Sequence, residues 1–146
     1  MGLIDEIRGK RISINTAPFI YFIEKNPDYI NLVKPIFSEI ENEEIDAVTS
    51  TITLLEVLVL PLKLKREILA EQYRDILLYT DGLFTYEISH DISEMAAKLR
   101  VKYNIRTPDA IQIATGIIHN ADAFITNDIS LKKVDDIKVF ALDDFL

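Results

Sequence analysis

The stretch RISINTAPFIYFI, residues 11–23, decides the fold. Its first four residues are a short run typical of a β-strand, and Asn15 and Thr16 then favour a turn and a helix N-cap. Pro18 fits the first turn of a helix, and the residues after it place apolar side chains at helical spacing. A strand that runs directly into a helix is the repeating unit of parallel α/β sheets.

The rest of the chain continues this alternation. Four further runs are predicted strands: residues 45–48, 83–88, 123–126 and 139–142. Helical patterns fill the segments between them, with Pro61 predicted to follow the end of one helix and a capping box over residues 91–94 to begin another. This order predicts an α/β fold with a mainly parallel central sheet of about five strands and helices on both faces. The length of 146 residues, without a linker or repeat, predicts a single domain over 1–146.

The composition excludes several kinds of site. The absence of cysteine excludes disulfide scaffolds, zinc–thiolate sites, iron–sulfur clusters and cysteine nucleophiles. The two histidines, His90 and His119, are fewer than a zinc hydrolase usually needs. Carboxylates with so little imidazole and no thiol favour a hard cation, Mg²⁺ or Mn²⁺, over zinc or copper.

The net charge of −8 is the wrong sign for a protein that coats nucleic acid by releasing counterions. It does not exclude a nucleic-acid enzyme whose acidic site is neutralised by metal cations. The longest apolar run, residues 52–62, is too short to span a bilayer, and the N-terminal residues lack a signal-peptide pattern. We therefore expect a soluble cytoplasmic protein with no membrane partner.

Polar residues stand at or just beyond the ends of the predicted strands, or at the start of the next helix. They are Asn15, Glu56, Asp109 and Asp128. Because right-handed crossovers bring the carboxyl ends of parallel strands to one edge, these side chains are expected to meet there. Carboxylates that converge in one crevice repel each other, so the arrangement is tolerable mainly where divalent cations occupy it.

Each of these positions also has a local structural explanation. Thr53 and Glu56 have the spacing of a capping box. Asp109 suits the positive end of a helix dipole if Thr107 caps that helix, and residues 127–128 are an ordinary turn pair. Capping alone, however, does not require a polar residue at nearly every strand end on the same side of a sheet.

Four segments, in order, resemble the motifs of the PIN domain family, and within it the VapC-type toxins. They are INTAPFI at residues 14–20, TSTITLLE at 49–56, TPDAIQIAT at 107–115 and TND at 126–128. The resemblance runs over nearly the whole chain. It implies the PIN-like (Rossmann-like) three-layer form of the α/β fold.

The resemblance also implies an activity and partners. PIN domains of the VapC type are Mg²⁺- or Mn²⁺-dependent ribonucleases that form homodimers and are inhibited by a VapB-like antitoxin inserted into the active-site groove. The metal ligands and catalytic residues would be Asn15, Glu56, Asp109 and Asp128. Thr16, Thr126 and Asn127 would orient the carboxylates. A divalent ion lowers the pKa of bound water, so no histidine base is required.

Position 15 departs from the family pattern, which has Asp where this chain has Asn. An amide keeps the size and one acceptor oxygen but loses a full negative charge, so metal affinity should fall. Two explanations are open. In the first, the substitution was introduced so that a toxic nuclease could be produced, and the intact remainder of the site favours this explanation. In the second, the chain is a natural family member with weakened or lost catalysis.

Basic residues in two segments are candidates for RNA phosphate contacts. Lys63, Lys65 and Arg66 follow the helix that carries Glu56, and Arg106 precedes Asp109. The alternative is that these are helix-end or solvent-exposed charges without a ligand.

Two other functions compete with the ribonuclease. The first is a catalytically disabled PIN-like module that binds RNA or a protein, which Asn15 keeps open. The second is a phosphoacceptor signalling domain, another small acidic α/β fold. That fold needs adjacent acids after its first strand and a Lys after its last. This chain has Ile14 and Asn15 at the first place and residues 141–144 at the second, and we therefore place this function last.

Overall fold

The computed structural model describes residues 2–146. All five strands pair in parallel, in the order β3-β2-β1-β4-β5. They are β1 (Arg11–Ile14), β2 (Asp46–Ser50), β3 (Leu83–Tyr86), β4 (Ala123–Thr126) and β5 (Lys138–Ala141). The helices are α1 (Leu3–Ile7), α2 (Thr16–Ile23), α3 (Ile30–Glu41), α4 (Thr51–Lys63), α5 (Glu67–Tyr79), α6 (His90–Tyr103) and α7 (Thr107–Ile118). Two 3₁₀ helices, Ile129–Lys133 and Leu142–Phe145, follow β4 and β5.

The sheet is covered on both faces, as predicted. Ile12 and Ile14 of β1 belong to a core packed by α1 to α5. Phe124 of β4 and Val139 of β5 face the opposite core, which α6 and α7 complete. The alternation follows from the two-residue period of a strand, which turns neighbouring side chains to opposite faces. The predicted three-layer α/β fold is therefore confirmed.

Several predicted boundaries were wrong. Helix α4 runs through Pro61, whose carbonyl oxygen accepts a hydrogen bond from the Arg66 N–H at 2.8 Å. The third strand was expected to reach residue 88, but it ends at Tyr86 because its only neighbour, β2, ends at the paired Ser50. The capping box over residues 91–94 is not formed, since Ser89 caps α6 by accepting from the Ile92 N–H.

The strand order creates a switch point beside β1. The chain leaves β1 towards β2 and β3 on one side and then crosses back to β4 on the other. In open α/β sheets, the crevice outside the carboxyl ends of strands at such a point is the usual ligand site. Asn15 directly follows β1, and residues 127–128 directly follow β4. The topology therefore places two of the four predicted motifs at this crevice.

Close packing of α7 on β1 fixes where the start of α7 lies. Gly116 approaches β1 so closely that an added Cβ would lie 2.7 Å from the Cβ of Ser13. The Ser13 hydroxyl also donates to the backbone carbonyl of Gln112, at 3.4 Å. This contact lets α7 rest against the strand that leads to Asn15, and it brings Asp109, in the first turn of α7, to the same edge.

None of the helices within residues 2–146 has the length and apolar character that crossing a membrane requires.

Candidate functional site

A cleft of about 430 Å³ opens at the carboxyl ends of β1 and β4. The four predicted site residues come from four separate segments and all line it, namely Asn15, Glu56, Asp109 and Asp128. Its other lining residues are Thr16, Ala17, Ile20, Arg106, Asn127 and Ile129. Residues distant in sequence therefore meet at one edge of the sheet, which local capping does not explain.

Asn15 joins the two central strands. Its backbone N–H donates to Ile125 of β4 at 2.9 Å, and its side-chain Nδ2 donates to the Thr126 hydroxyl at 3.1 Å. Its Oδ1 accepts from the Thr16 N–H at 2.9 Å, which caps α2. Only 7% of Asn15 is exposed. The side chain is thus held in one orientation at the base of the cleft.

Glu56 reaches the cleft from the second turn of α4. Its Oε1 accepts from the Thr16 hydroxyl at 2.6 Å. The expected capping box with Thr53 is absent, because Ser50 caps α4 by accepting from the Ile52 N–H. Thr53 is fully buried and faces inward instead. The carboxylate of Glu56 is therefore turned toward the start of α2 rather than toward its own helix end.

Gln112 is a residue of the site that the sequence analysis missed. It lies one helical turn after Asp109 on α7 and is 1% exposed. Its Oε1 accepts from the Ser50 hydroxyl at 2.8 Å, and its Nε2 donates to the hydroxyls of Thr53 and, at 3.4 Å, Thr16. Gln112 lies three residues after Asp109, which places both side chains on the same face of the helix. This spacing is the sequence signal that would have identified Gln112 as part of the site.

The hydrogen bonds around Gln112 run in one direction. The Thr49 hydroxyl donates to the Ile14 carbonyl at 3.0 Å, so the Thr53 hydroxyl, 2.8 Å away, donates to Thr49 and is free to accept from Gln112. The Thr16 hydroxyl likewise accepts from Gln112 and donates onward to Glu56. The amide of Gln112 thereby orients two hydroxyls, one of which holds a carboxylate of the cleft.

Asp109 lies in the first turn of α7, and Thr107 does not cap that helix. Arg106 occupies the N-cap position without a side-chain cap, and Thr107 is the first helical residue. The Arg106 Nε donates to Asp109 Oδ2 at 3.2 Å. The Asp109 side chain is 9% exposed, whereas that of Arg106 is 78% exposed. A buried carboxylate is thus held at the edge of the cleft by a guanidinium that stands in solvent.

Asp128 is oriented by its own turn. Its Oδ1 accepts from the backbone N–H of Ser130 at 2.9 Å and from the Ser130 hydroxyl at 2.7 Å. Its backbone N–H donates to the Thr126 hydroxyl at 3.1 Å, the same hydroxyl that accepts from Asn15. Thr126 therefore ties the segment after β4 to the segment after β1.

The structure separates the candidate phosphate contacts. Arg106 lines the cleft. Lys65 and Arg66 line a different groove, at the turn between α4 and α5, and Lys63 is the exposed last residue of α4. Among the residues expected to orient carboxylates, Thr16 and Asn127 line the cleft, and Thr126 lies buried behind Asn15.

The donor chemistry of the cleft suits a hard divalent cation. The side chains of the cleft lining that could bind a metal would all do so through oxygen. They are three carboxylates, two amides and one hydroxyl. Across residues 2–146, no group of three Asp, Glu, His or Cys side chains is placed so that it could hold a metal ion by itself. Mg²⁺ usually keeps several waters and needs only one or two direct carboxylates, so an open arrangement fits it better than a closed cage.

The PIN domain family model matches residues 14–137, most of the chain. This chain belongs to the PIN domain family. No curated protein matches its sequence.

Solved structures share the fold of this PIN domain. VapBC2 from Rickettsia felis, bound to a promoter DNA fragment, matches with a TM-score of 0.69 and 22% identity, covering 90% of this chain and 98% of that chain. A toxin–antitoxin complex from Klebsiella pneumoniae matches at 0.67 and 22%, covering 90% and 97%. VapC20 from Mycobacterium tuberculosis, a toxin that cleaves the sarcin–ricin loop, matches at 0.62 and 15%, covering 78% and 86%. The PIN fold of this chain is therefore one that VapC toxins adopt.

Proposed function

We propose that this PIN domain is a Mg²⁺- or Mn²⁺-dependent ribonuclease that hydrolyses RNA phosphodiester bonds, and that it is the toxin of a VapBC-type toxin–antitoxin pair. The observation that carries the proposal is the convergence of Asn15, Glu56, Asp109 and Asp128 in one cleft at the switch point of the sheet. Three carboxylates in one cleft repel one another, and a divalent cation is the simplest group that offsets this repulsion.

Asp109 and position 15 would hold the ion directly, and Glu56 and Asp128 would complete the acidic pocket through water. When bound, the ion supplies positive charge that activates water and stabilises the charge developing on a phosphate. The chain supplies the orientation. Thr16 fixes the carboxylate of Glu56, and the Thr126 hydroxyl links position 15 to the backbone of Asp128.

Asn15 favours a second candidate function, a PIN-like module with a disabled site that binds RNA or protein. An amide at this position leaves the cleft with one carboxylate fewer than the family pattern. Its Nδ2 donates to Thr126, so its Oδ1 is the only side-chain acceptor that it presents. Weak metal binding by the chain as it stands is expected from either function.

The proposed partners are a VapB-like antitoxin and a second copy of the chain. The similar solved structures from Rickettsia felis and Klebsiella pneumoniae are toxin–antitoxin assemblies. Apolar side chains are also unusually exposed along α4 and into α5, which is typical of a protein-binding surface. They are Leu55, Val59, Leu60, Leu62, Leu64 and Ile68, each at least 45% exposed. The mass in solution, by light scattering, tests the homodimer.

The ribonuclease proposal predicts a strict requirement for a divalent cation. The Asn15→Asp variant, which restores the family's carboxylate, is expected to cut single-stranded RNA with Mg²⁺ or Mn²⁺ and to stop when the ion is chelated. Adding Asp109→Asn should remove this cleavage, because Asp109 is the most buried carboxylate of the cleft. Gel analysis of labelled RNA fragments measures both effects. Cleavage that persists in chelator, or in the double variant, would contradict the proposal.

A further inference from the structure

A second groove adjoins the cleft. It has a volume of about 260 Å³ and shares three lining residues with the cleft, Arg106, Asp109 and Asp128. Its remaining lining residues are Asn104, Ile105, Ser130, Leu131 and Lys133. The two depressions therefore meet at the carboxylates proposed to hold the metal, and a chain lying across these carboxylates would occupy both.

Arg106 stands between the two depressions with free hydrogen-bonding capacity. Its Nε is bound to Asp109, but its two terminal amino groups make no hydrogen bond with any residue in the described range 2–146. The side chain is 78% exposed. A guanidinium fixed through Nε and open at its other two nitrogens can still make the paired contact that phosphate accepts.

Lys133 also lines the groove and is not neutralised by a neighbour. It is exposed and forms no ion pair within residues 2–146. The adjacent Lys132, by contrast, is paired with Asp144 at 2.6 Å, and Lys102 is paired with Asp136 at 3.1 Å. The two cations of the groove balance its two carboxylates, Asp109 and Asp128, whereas the chain as a whole carries a net charge of −8.

We propose that this groove is a second phosphate subsite, which binds the RNA backbone one or two nucleotides from the bond that is cut, with Arg106 and Lys133 as its phosphate ligands. The inference rests on the proposed ribonuclease function and extends it to how the substrate is held. RNA is favoured over an acidic protein segment because the groove adjoins the carboxylates that are proposed to hold the metal. A nucleic-acid backbone also carries regularly spaced phosphates, so that one phosphate could bind in each depression.

The divalent cation should couple to this subsite. Asp109 and Asp128 form the wall between the cleft and the groove, and their charge repels a phosphate until a cation offsets it. RNA binding in the groove is therefore expected to strengthen when a divalent cation is present, even one that does not support cleavage.

The test is the affinity of the unaltered chain and two variants for a labelled single-stranded RNA, measured by fluorescence anisotropy in Ca²⁺ at several salt concentrations. Lys133→Gln is expected to weaken binding about fivefold and to lower the slope of log affinity against log salt by about 0.7, the loss of one phosphate contact. Lys132→Gln removes the same charge from the neighbouring residue, which is already paired with Asp144, and should change affinity by less than about twofold.

Two outcomes overturn the inference. Equal weakening by both variants, or by neither, would mean that Lys133 is an ordinary surface charge, while RNA binding and the proposed function stand. Absence of RNA binding by the unaltered chain and by Asn15→Asp, with binding of an acidic peptide instead, would overturn the subsite and the ribonuclease together.

Discussion

Replacing Asn15 by Asp is expected to raise divalent-dependent RNA cleavage by orders of magnitude. The change restores a negative charge to a side chain that is 7% exposed and lies at the base of the acidic cleft. A full charge at that depth strengthens cation binding far more than a surface charge would, because the surroundings screen it little.

The local hydrogen bonds can accept this carboxylate without rearrangement. Position 15 would still accept from the Thr16 N–H and cap α2. The Thr126 hydroxyl, which now accepts from Asn15 Nδ2, can rotate and donate to the new carboxylate oxygen while still accepting from the Asp128 N–H. The variant is therefore expected to fold as the parent does.

Initial rates on labelled RNA, with Mg²⁺ or Mn²⁺ and with chelator, measure this prediction. Asn42→Asp, the same change at the exposed C-cap of α3, is the matched control and should leave the rate unchanged. If Asn15→Asp cuts RNA no faster than the parent, then the assignment of this cleft as a nuclease site is wrong, and the binding-module alternative gains support.

The second large effect, on stability and on cleavage, is expected from replacing Gln112, a buried residue that is not proposed to contact the substrate. Gln112→Leu keeps the approximate volume but removes the acceptor for Ser50 and the donor to Thr53 and Thr16. Buried polar groups left without partners cost about 1–3 kcal/mol each, partly offset by the apolar side chain. We expect a loss of about 2 kcal/mol in the free energy of unfolding, or roughly 4–8 °C in Tm.

The same substitution should also impair cleavage when it is made in the Asn15→Asp protein. Without Gln112, the Thr16 hydroxyl loses one of the bonds that orient it toward Glu56, and that carboxylate becomes mobile. Thermal unfolding and cleavage rates are the two measurements, with Gln72→Leu on the exposed face of α5 as the control. Equal behaviour of the two variants would show that the hydrogen-bond chain through Gln112 does not support the cleft.

The elements that the sequence predicted well are those whose signals are local. The strand–helix unit at residues 11–23 and the TND motif at 126–128 each combine a strand with a turn, and both formed nearly as expected. Parallel pairing then places their ends at a common edge without further information. This is why the sequence alone assigns residues as far apart as Asn15 and Asp128 to one crevice.

The features that were missed depend on contacts between elements. Gln112 sits in a helix whose buried residues are mostly apolar, and nothing near it in sequence indicates that Ser50 and Thr53 are its partners. Lys65 and Arg66 are close to Glu56 in sequence but are carried to a different groove by the turn after α4. The capping box predicted at Thr53 was wrong for the same reason. Its side chain hydrogen-bonds to Gln112, on a distant helix, instead of capping its own helix.

The most direct test of the account is the binding of Mn²⁺ to the Asn15→Asp protein, measured by electron paramagnetic resonance without RNA. Carboxylates from separate segments that share one cleft should bind the ion saturably. Adding Asp109→Asn should weaken that binding by at least an order of magnitude, whereas adding Asp81→Asn, at an exposed position outside the cleft, should not. Mn²⁺ affinity that is the same in all three proteins would mean that these side chains do not form a metal site.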